Sequence, residues 1–360
     1  MDMIFRYLLI STMLLLLHLF LSAGVTFADE EGSSGSIEWE IEIGKGMTAP
    51  PAVLGERAFA LGTDGWAVLI NCRSGEILWR ERAGRSFTSS PVAIDSVIYL
   101  TSQGGKRFLA AVSLTTGETL WKTDIGVLRA GPVKTEHGLI LLEADGTLKC
   151  LNTSSPALLW SANMDKPCLD EIYVTDKKLL ASCGDTIYSI GSKDGLIDRR
   201  FYVENLESFQ PLTDGAGLLI IRRNGETELL ETGTAEIIWS AVLDAAPGYH
   251  VTVSDNMAFL SSGSRLTCLG MEGGQTLWVV DLSSPVAGPP DLSGTLLAVT
   301  TVHGGLYIFD QSSGQQIDDH ELRQPINTPP VFCKDRILIS TQLGKLLSIT
   351  MKTASEGGAQ

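Results

Sequence analysis

The sequence predicts an all-β fold, an eight-bladed β-propeller of four-stranded antiparallel blades. Three observations carry this: a ladder of tryptophans with steps of about 40 residues, a turn motif before each rung, and an N-terminal strand supplying what the last repeat lacks.

Six of the seven tryptophans form the ladder, at Trp39, Trp79, Trp121, Trp160, Trp239 and Trp278. Their gaps are 40, 42, 39, 79 and 39 residues, so one rung between Trp160 and Trp239 is missing and falls at Arg199. One step beyond Trp278 lies Asp318. Eight positions thus run from 39 to 318, and each step has room for four short strands.

Each rung follows a turn: SGEILW at 74–79, TGETLW at 116–121, TGTAEIIW at 232–239 and GGQTLW at 273–278. The turn persists without its tryptophan, as DGLIDR at 194–199 and SGQQID at 313–318. Glycine there supplies the positive φ that tight turns need. Ahead of each turn lie two apolar strands around a second glycine-bearing turn, as in RAFALGTDGWAVLI at 57–70 and LILLEADGTLKCL at 139–151. Ahead of those comes a proline: Pro50-Pro51, Pro91, Pro132, Pro211, Pro289-Pro290 and Pro329-Pro330. Proline suits the first residue of a strand, where no ladder donor is required. Each unit is therefore four strands, A to D, with the tryptophan in D.

The last unit, 329–350, holds only three strands. Ile37–Ile43, reading IEWEIEI, alternates apolar and acidic residues and carries the Trp39 rung. Period 2 marks a half-buried strand, with glutamates expected toward solvent. This strand completes the last blade and closes one domain over 37–350. Residues 29–36 form a linker, and 351–360 are expected to be a disordered tail.

Residues 1–28 read as an export signal. Arg6 precedes an apolar run from Tyr7 to Val25, and Thr26-Phe27-Ala28 places small residues before Asp29. The run is also long enough to remain as an uncleaved membrane anchor. Leu21-Ser22-Ala23 is followed by Gly24 where a lipidated cysteine would stand, and the first cysteine is Cys72, so lipid attachment is excluded. The protein is expected in the periplasm or outside the cell, as a monomer.

The net charge is −15, and Lys and Arg cluster no further than pairs. Such a surface repels phosphate backbones, so nucleic-acid partners are not expected. Cys72, Cys150, Cys168, Cys183, Cys268 and Cys333 contain no CxxC pair. Cys168 and Cys183 flank a hairpin turn at Thr175-Asp176, which admits either a disulfide or two buried thiols.

The xTGExLW turns, the tryptophan spacing and the proline-led strands together resemble the PQQ-like propeller repeat family, from about Ile37 to Thr350. One branch of that family, the quinoprotein dehydrogenases, holds pyrroloquinoline quinone and calcium. Another branch, the BamB-type propellers of the machinery that inserts barrels into the bacterial outer membrane, is non-enzymatic. The adjacent cysteine pair many dehydrogenases use against the quinone is missing, and the turn acids Asp64, Asp145 and Asp185 are spread one to a blade. Calcium needs six or more oxygen ligands converging. The resemblance therefore implies a non-enzymatic envelope scaffold that needs no cofactor and binds an envelope protein. The alternative is a degenerate quinoprotein-type propeller that binds the quinone or another small molecule.

No HExxH, GxSxG or P-loop motif is present, and His137, His250, His303 and His320 each read as lone solvated side chains. The ladder tryptophans dock neighbouring blades. In a propeller the B–C turns and D–A crossovers share one face. Lys106, Arg107, Arg129, Arg222, Arg223 and His303 fall there, with Met47, Phe87 and Phe209 beside the prolines. Trp66, off the ladder, is a candidate rim aromatic or is covered by a neighbouring loop. A basic, aromatic-studded mouth on an acidic protein is a candidate docking face, because arginine and aromatics favour interface centres.

Overall fold

The computed structural model describes residues 25–26 and 37–350, apart from 88, 165, 167, 169–171, 176–177, 213–214, 244–247 and 255. The linker 29–36, the tail 351–360 and the export signal, save Val25–Thr26, lie outside the described residues. Eight antiparallel sheets follow one another around a ring. Blade 1 is typical, with strand A at Ala52–Leu54, B at Arg57–Leu61, C at Trp66–Asn71 and D at Ile77–Arg82. Blade 8 joins the two ends of the chain: Val331–Cys333, Arg336–Ser340 and Lys345–Thr350 are completed by Ile37–Glu42. Val25–Thr26 pairs along the outer side of that last strand, Val25 opposite Ile41 and Thr26 opposite Glu40.

Most B and C strands are rich in apolar residues because both faces of each blade are covered, as in RAFAL and WAVLIN of blade 1. In blade 1, Ala58 and Ala60 pack with blade 8, whereas Phe59 and Leu61 pack with blade 2. Successive side chains point to opposite sides of a strand, so one unbroken apolar run serves two blade interfaces. Strand D lies outermost, and its alternate residues reach solvent.

Strand D carries the same irregularity in all eight blades. The C–D register slips by one residue just before the ladder position: Leu69 faces Trp79, but Ile70 faces Ile77. The same slip falls before Trp39, Trp121, Trp160, Arg199, Trp239, Trp278 and Asp318. A bulge bends a strand and re-aims the next side chain. The bulged residues include the exposed Leu78, Leu120, Leu159, Ile238, Leu277 and Ile317.

The bulge aims the tryptophan at the next blade. The indole N–H of Trp39 donates to the Cys72 carbonyl at 3.0 Å, Trp79 to Leu114 at 3.0 Å and Trp160 to Ser192 at 3.2 Å. Trp239 donates to Met271 at 2.7 Å and Trp278 to Gln311 at 3.0 Å. Each acceptor is the equivalent carbonyl of the C–D turn one blade on. The ring lies over the glycine of that turn: Gly75, Gly117, Gly195, Gly274 and Gly314 have φ of 69–77°, and a Cβ on any of them would stand under 3.0 Å from the indole. Glycine is therefore required twice, for its φ and for the ring.

The irregular rungs follow from the same geometry. Arg199 replaces the indole in blade 4 and donates to the carbonyls of Thr232 (2.7 Å) and Gly233 in the blade 5 turn. With no flat ring above it, the glycine position of that turn is Ala235, at φ 63°. Asp318 faces blade 8, whose strand C runs to Thr350 and whose strand D comes from the other end of the chain, so no C–D turn is there to receive a tryptophan. Opposite Trp121 the position is Pro156, and Tyr99, its ring centroid 5.9 Å from that of Trp121, donates its hydroxyl to Thr153 O at 2.8 Å.

Closure has three parts. Ile37–Glu42 pairs with Lys345–Thr350. Its glutamates do not simply face solvent as the alternation predicts: Glu38 is bonded to Arg336 and Thr350, and Glu40 to Lys345. The Cys72–Cys333 disulfide then joins the C–D turn of blade 1 to the end of strand A in blade 8, across 261 residues of sequence. Cys168 and Cys183 are also bonded. The register of that hairpin places Ile172 opposite Ala181, so Cys168 reaches Cys183 from the segment before strand A and is not its cross-strand partner. Cys150 and Cys268 are free, and burial pushes their thiols up to about 11 and about 12. Pro132 and Pro211 lie inside and at the end of their strands, not at the start. Strand A is the inner edge of its sheet, where a proline on the unpaired side loses no ladder bond.

Gly274→Ala places a methyl group against Trp239 at positive φ and is expected to cost about 2–4 kcal/mol. Ala235→Gly, at the same position under Arg199, should stay within about 1 kcal/mol. Urea unfolding of both variants checks this; equal losses would contradict the docking role of the turn. Loss of the Cys72–Cys333 bond through Cys72→Ala/Cys333→Ala should cost about 2–4 kcal/mol. Deleting residues 29–43 removes a whole strand and the Trp39 rung and is expected to give an aggregating chain. An unchanged unfolding midpoint after that deletion would contradict closure in blade 8.

Candidate protein-docking face

The four strands of each blade alternate in direction, so B–C turns and D–A crossovers gather on one end of the ring, here the top. Lys106 and Arg107 occupy the B–C turn of blade 2, Arg223 that of blade 5 and His303 that of blade 7. Arg129 opens strand A of blade 3, Arg222 ends strand B of blade 5, and Trp66 opens strand C of blade 1. All seven share the face, but they do not form one patch. Blades 3 and 4 stand between the cations of blade 2 and those of blade 5.

The two groups also differ electrostatically. Arg222 donates to Glu228 at 2.7 Å and to Glu204 O at 2.7 Å and lies 3.8 Å from Glu226, while Arg223 lies 3.4 Å from Glu207. The blade 5 cations are thus neutralised within their own blade. Arg107, Arg129 and His303 are exposed, and Lys106 pairs with Asp124 at 3.2 Å with both side chains well exposed.

The expected aromatic studs are not at the surface. Met47, Phe87 and Phe209 are 0%, 1% and 0% exposed. A proline marks where an inner strand begins but not which way the residues beside it point, and these three point into blade interfaces. Trp66 is half-buried beneath the Arg80 guanidinium, 4.6 Å from its ring centroid. Two of the histidines read as solvated are not. His320 is buried on strand D of blade 7, 3.3 Å from the buried Asp318. His250 is buried enough that desolvation lowers its pKa. Asp291, also on an inner strand, is raised by burial despite accepting from Phe332 N and Leu292 N.

The structure adds residues that the sequence reading missed. A cleft of about 890 Å³ opens between blades 1 and 2 at the top, lined by Arg82, Arg85, Lys106 and Lys122 over Phe108. The overlooked signal is the WRERAGR run at 79–85, from which Arg82 and Arg85 reach the cleft while Arg80 turns to Ile43 O and Trp66. Among the described residues no three His, Cys, Asp or Glu side chains converge as metal ligands. The turn acids Asp64, Asp145 and Asp185 sit in three separate blades, so these three do not come together as a calcium site.

A closed ring of four-stranded blades docked by tryptophans onto the turns of their neighbours defines a repeat propeller of the PQQ-like class. The sequence profile described as outer membrane protein assembly factor BamB matches residues 27–109, 105–213 and 211–356, and the chain belongs to that family. It is 23% identical over 342 residues to outer membrane protein assembly factor BamB of Shewanella oneidensis, covering 89% of this chain and 79% of the relative. The crystal structure of BamB from Moraxella catarrhalis superposes with a TM-score of 0.70 at 16% identity, over 91% of this chain and all of that one. Quinohemoprotein alcohol dehydrogenase from Comamonas testosteroni gives a TM-score of 0.69 at 9% identity, over 94% and 80%. These two structural likenesses speak to fold alone.

Arg222→Ala strands Glu228 and the Glu204 carbonyl and should cost about 1–3 kcal/mol. Arg107→Ala, at an exposed turn, should change stability by no more than about 0.5 kcal/mol. Chemical denaturation distinguishes them; equal effects would mean that the two cation groups are not held differently.

Proposed function

We propose that this chain is a non-enzymatic scaffold of the cell envelope that docks a protein partner through the top face of the ring, in outer-membrane protein assembly. The observation that carries the reading is the distribution of charge. On a chain of net charge −15, Arg82, Arg85, Lys106, Arg107, Lys122 and Arg129 collect at the top of blades 1 to 3. Membership of the BamB family supplies the assembly context. A rigid ring suits this role, because docking by turns onto a preformed surface needs little reordering. The protein acts as an exported monomer, and no cofactor takes part.

Reversing Arg107 and Arg129 to Glu should weaken capture of envelope partners by cross-linking, chiefly through slower encounter, and the loss should shrink as salt rises. The control reverses Arg57, Arg73 and Lys193, which are exposed at the opposite end of the ring. Equal recovery by wild type, test and control proteins would contradict top-face docking. The quinone-binding reading is tested in the same preparations by adding pyrroloquinoline quinone with calcium. A ligand specific for the folded state at 100 times its Kd stabilises by about 2.7 kcal/mol. No rise in melting temperature is expected, and a rise would restore the cofactor reading.

A further inference from the structure

We propose that the cleft between blades 1 and 2 receives an extended acidic segment of a protein partner, its carboxylates paired with Arg82, Arg85, Lys106 and Lys122. This deepens the docking-face reading above and rests on it. The cleft holds about 890 Å³, far more than one small anion fills, and its four cations come from separate positions on two blades. A segment with several carboxylates matches that layout.

Three of the cations, Arg82, Arg85 and Lys122, make no ion pair among the described residues, and the fourth, Lys106, makes an exposed one. Lys122 Nζ stands 3.3 Å from the ring centroid of the buried Phe108, which fixes the ammonium over the floor of the cleft. Among the described residues Arg82 bonds to one backbone carbonyl, Asp64 O at 3.5 Å, which leaves most of its fork for a carboxylate. The Lys106–Asp124 pair has side chains 75% and 67% exposed, so a carboxylate from a partner exchanges readily with Asp124. Arg85 is exposed and lies along bare backbone at Gly105.

The walls suit a peptide chain. Gly84 and Gly104 line it as backbone, and the Cβ direction at each is already occupied by the protein's own Phe87 ring (2.7 Å) and Ser86 Cβ (2.5 Å), so this stretch of wall offers main-chain groups. A lipid surface is favoured less. Membrane-surface binding draws on apolar side chains inserted beside the cations, and the one large apolar residue lining this cleft, Phe108, is 5% exposed.

The probe is a short fluorescein-labelled peptide of alternating Glu and Ser, read by fluorescence anisotropy at low ionic strength, with a Lys–Ser peptide as its counterpart. Wild type should bind the acidic peptide and not the basic one. Arg82→Ser/Arg85→Ser/Lys122→Ser should bind it at least about tenfold more weakly, with an unchanged melting curve. The Arg57, Arg73 and Lys193 reversal should bind as wild type does. Absence of binding, or equal affinity in the cleft variant, would overturn the proposal. So would cleft-dependent binding to phosphatidylglycerol vesicles without peptide binding, which would make the occupant a lipid surface. The two readings fail separately. Partner capture lost on top-face reversal but intact in the cleft variant would overturn only the acidic-segment proposal. Peptide binding at the cleft with unaltered capture after top-face reversal would overturn only the top-face reading.

Discussion

The fold depends on one repeated contact, a strand D side chain that reaches into the C–D turn of the following blade. A blade on its own has two apolar faces and cannot be stable, and burial alone would let neighbours slide past one another. The indole N–H bond to one backbone carbonyl sets the register between blades, and the glycine beneath the ring sets their distance. The bulge just before the rung recurs in every blade and makes the contact available wherever a C–D turn follows. Arg199 shows that the contact outlasts the tryptophan, since its guanidinium donates to the same turn position. Asp318 shows the converse, because the rung loses its tryptophan where the receiving turn does not exist.

Much of this was legible in the sequence, because it is local and periodic. The ladder, the turns and the completing strand at Ile37–Glu42 were all read from spacing and alternation, and the architecture follows them. What escaped lies between segments distant in sequence. Nothing in the spacing links Cys72 to Cys333, and only the closed ring brings blade 8 against blade 1. The one-residue bulge leaves no compositional mark, since Leu78 or Ile238 reads as an ordinary strand residue. The direction in which Met47, Phe87 and Phe209 point was not readable either, because a proline-led strand start is compatible with both faces.

The candidate site was legible only in part, for a related reason. Sequence placed the cations together on one end of the ring, as the structure does, since chain direction alternates strictly from strand to strand. It could not show that Arg222 and Arg223 are held by Glu228, Glu204 and Glu207. Nor could it show that Arg82 and Arg85 of blade 1 meet Lys106 and Lys122 of blade 2 across a cleft. In a propeller, strands and turns are properties of one repeat, whereas a binding site is a property of the seam between two. A protein of this family can therefore keep its ladder unchanged and vary its seams.

The central claim is that rung and turn act as a pair, and the broken rung allows it to be tested by repair. Arg199→Trp alone would press an indole onto the Ala235 methyl group, and Ala235→Gly alone would leave the arginine bond in place. Together they recreate the arrangement of Trp160 over Gly195. Urea unfolding of wild type, both single variants and the double variant measures the coupling. Docking of the rung on the turn predicts a favourable coupling of about 1–3 kcal/mol, and additivity within about 0.5 kcal/mol would contradict it.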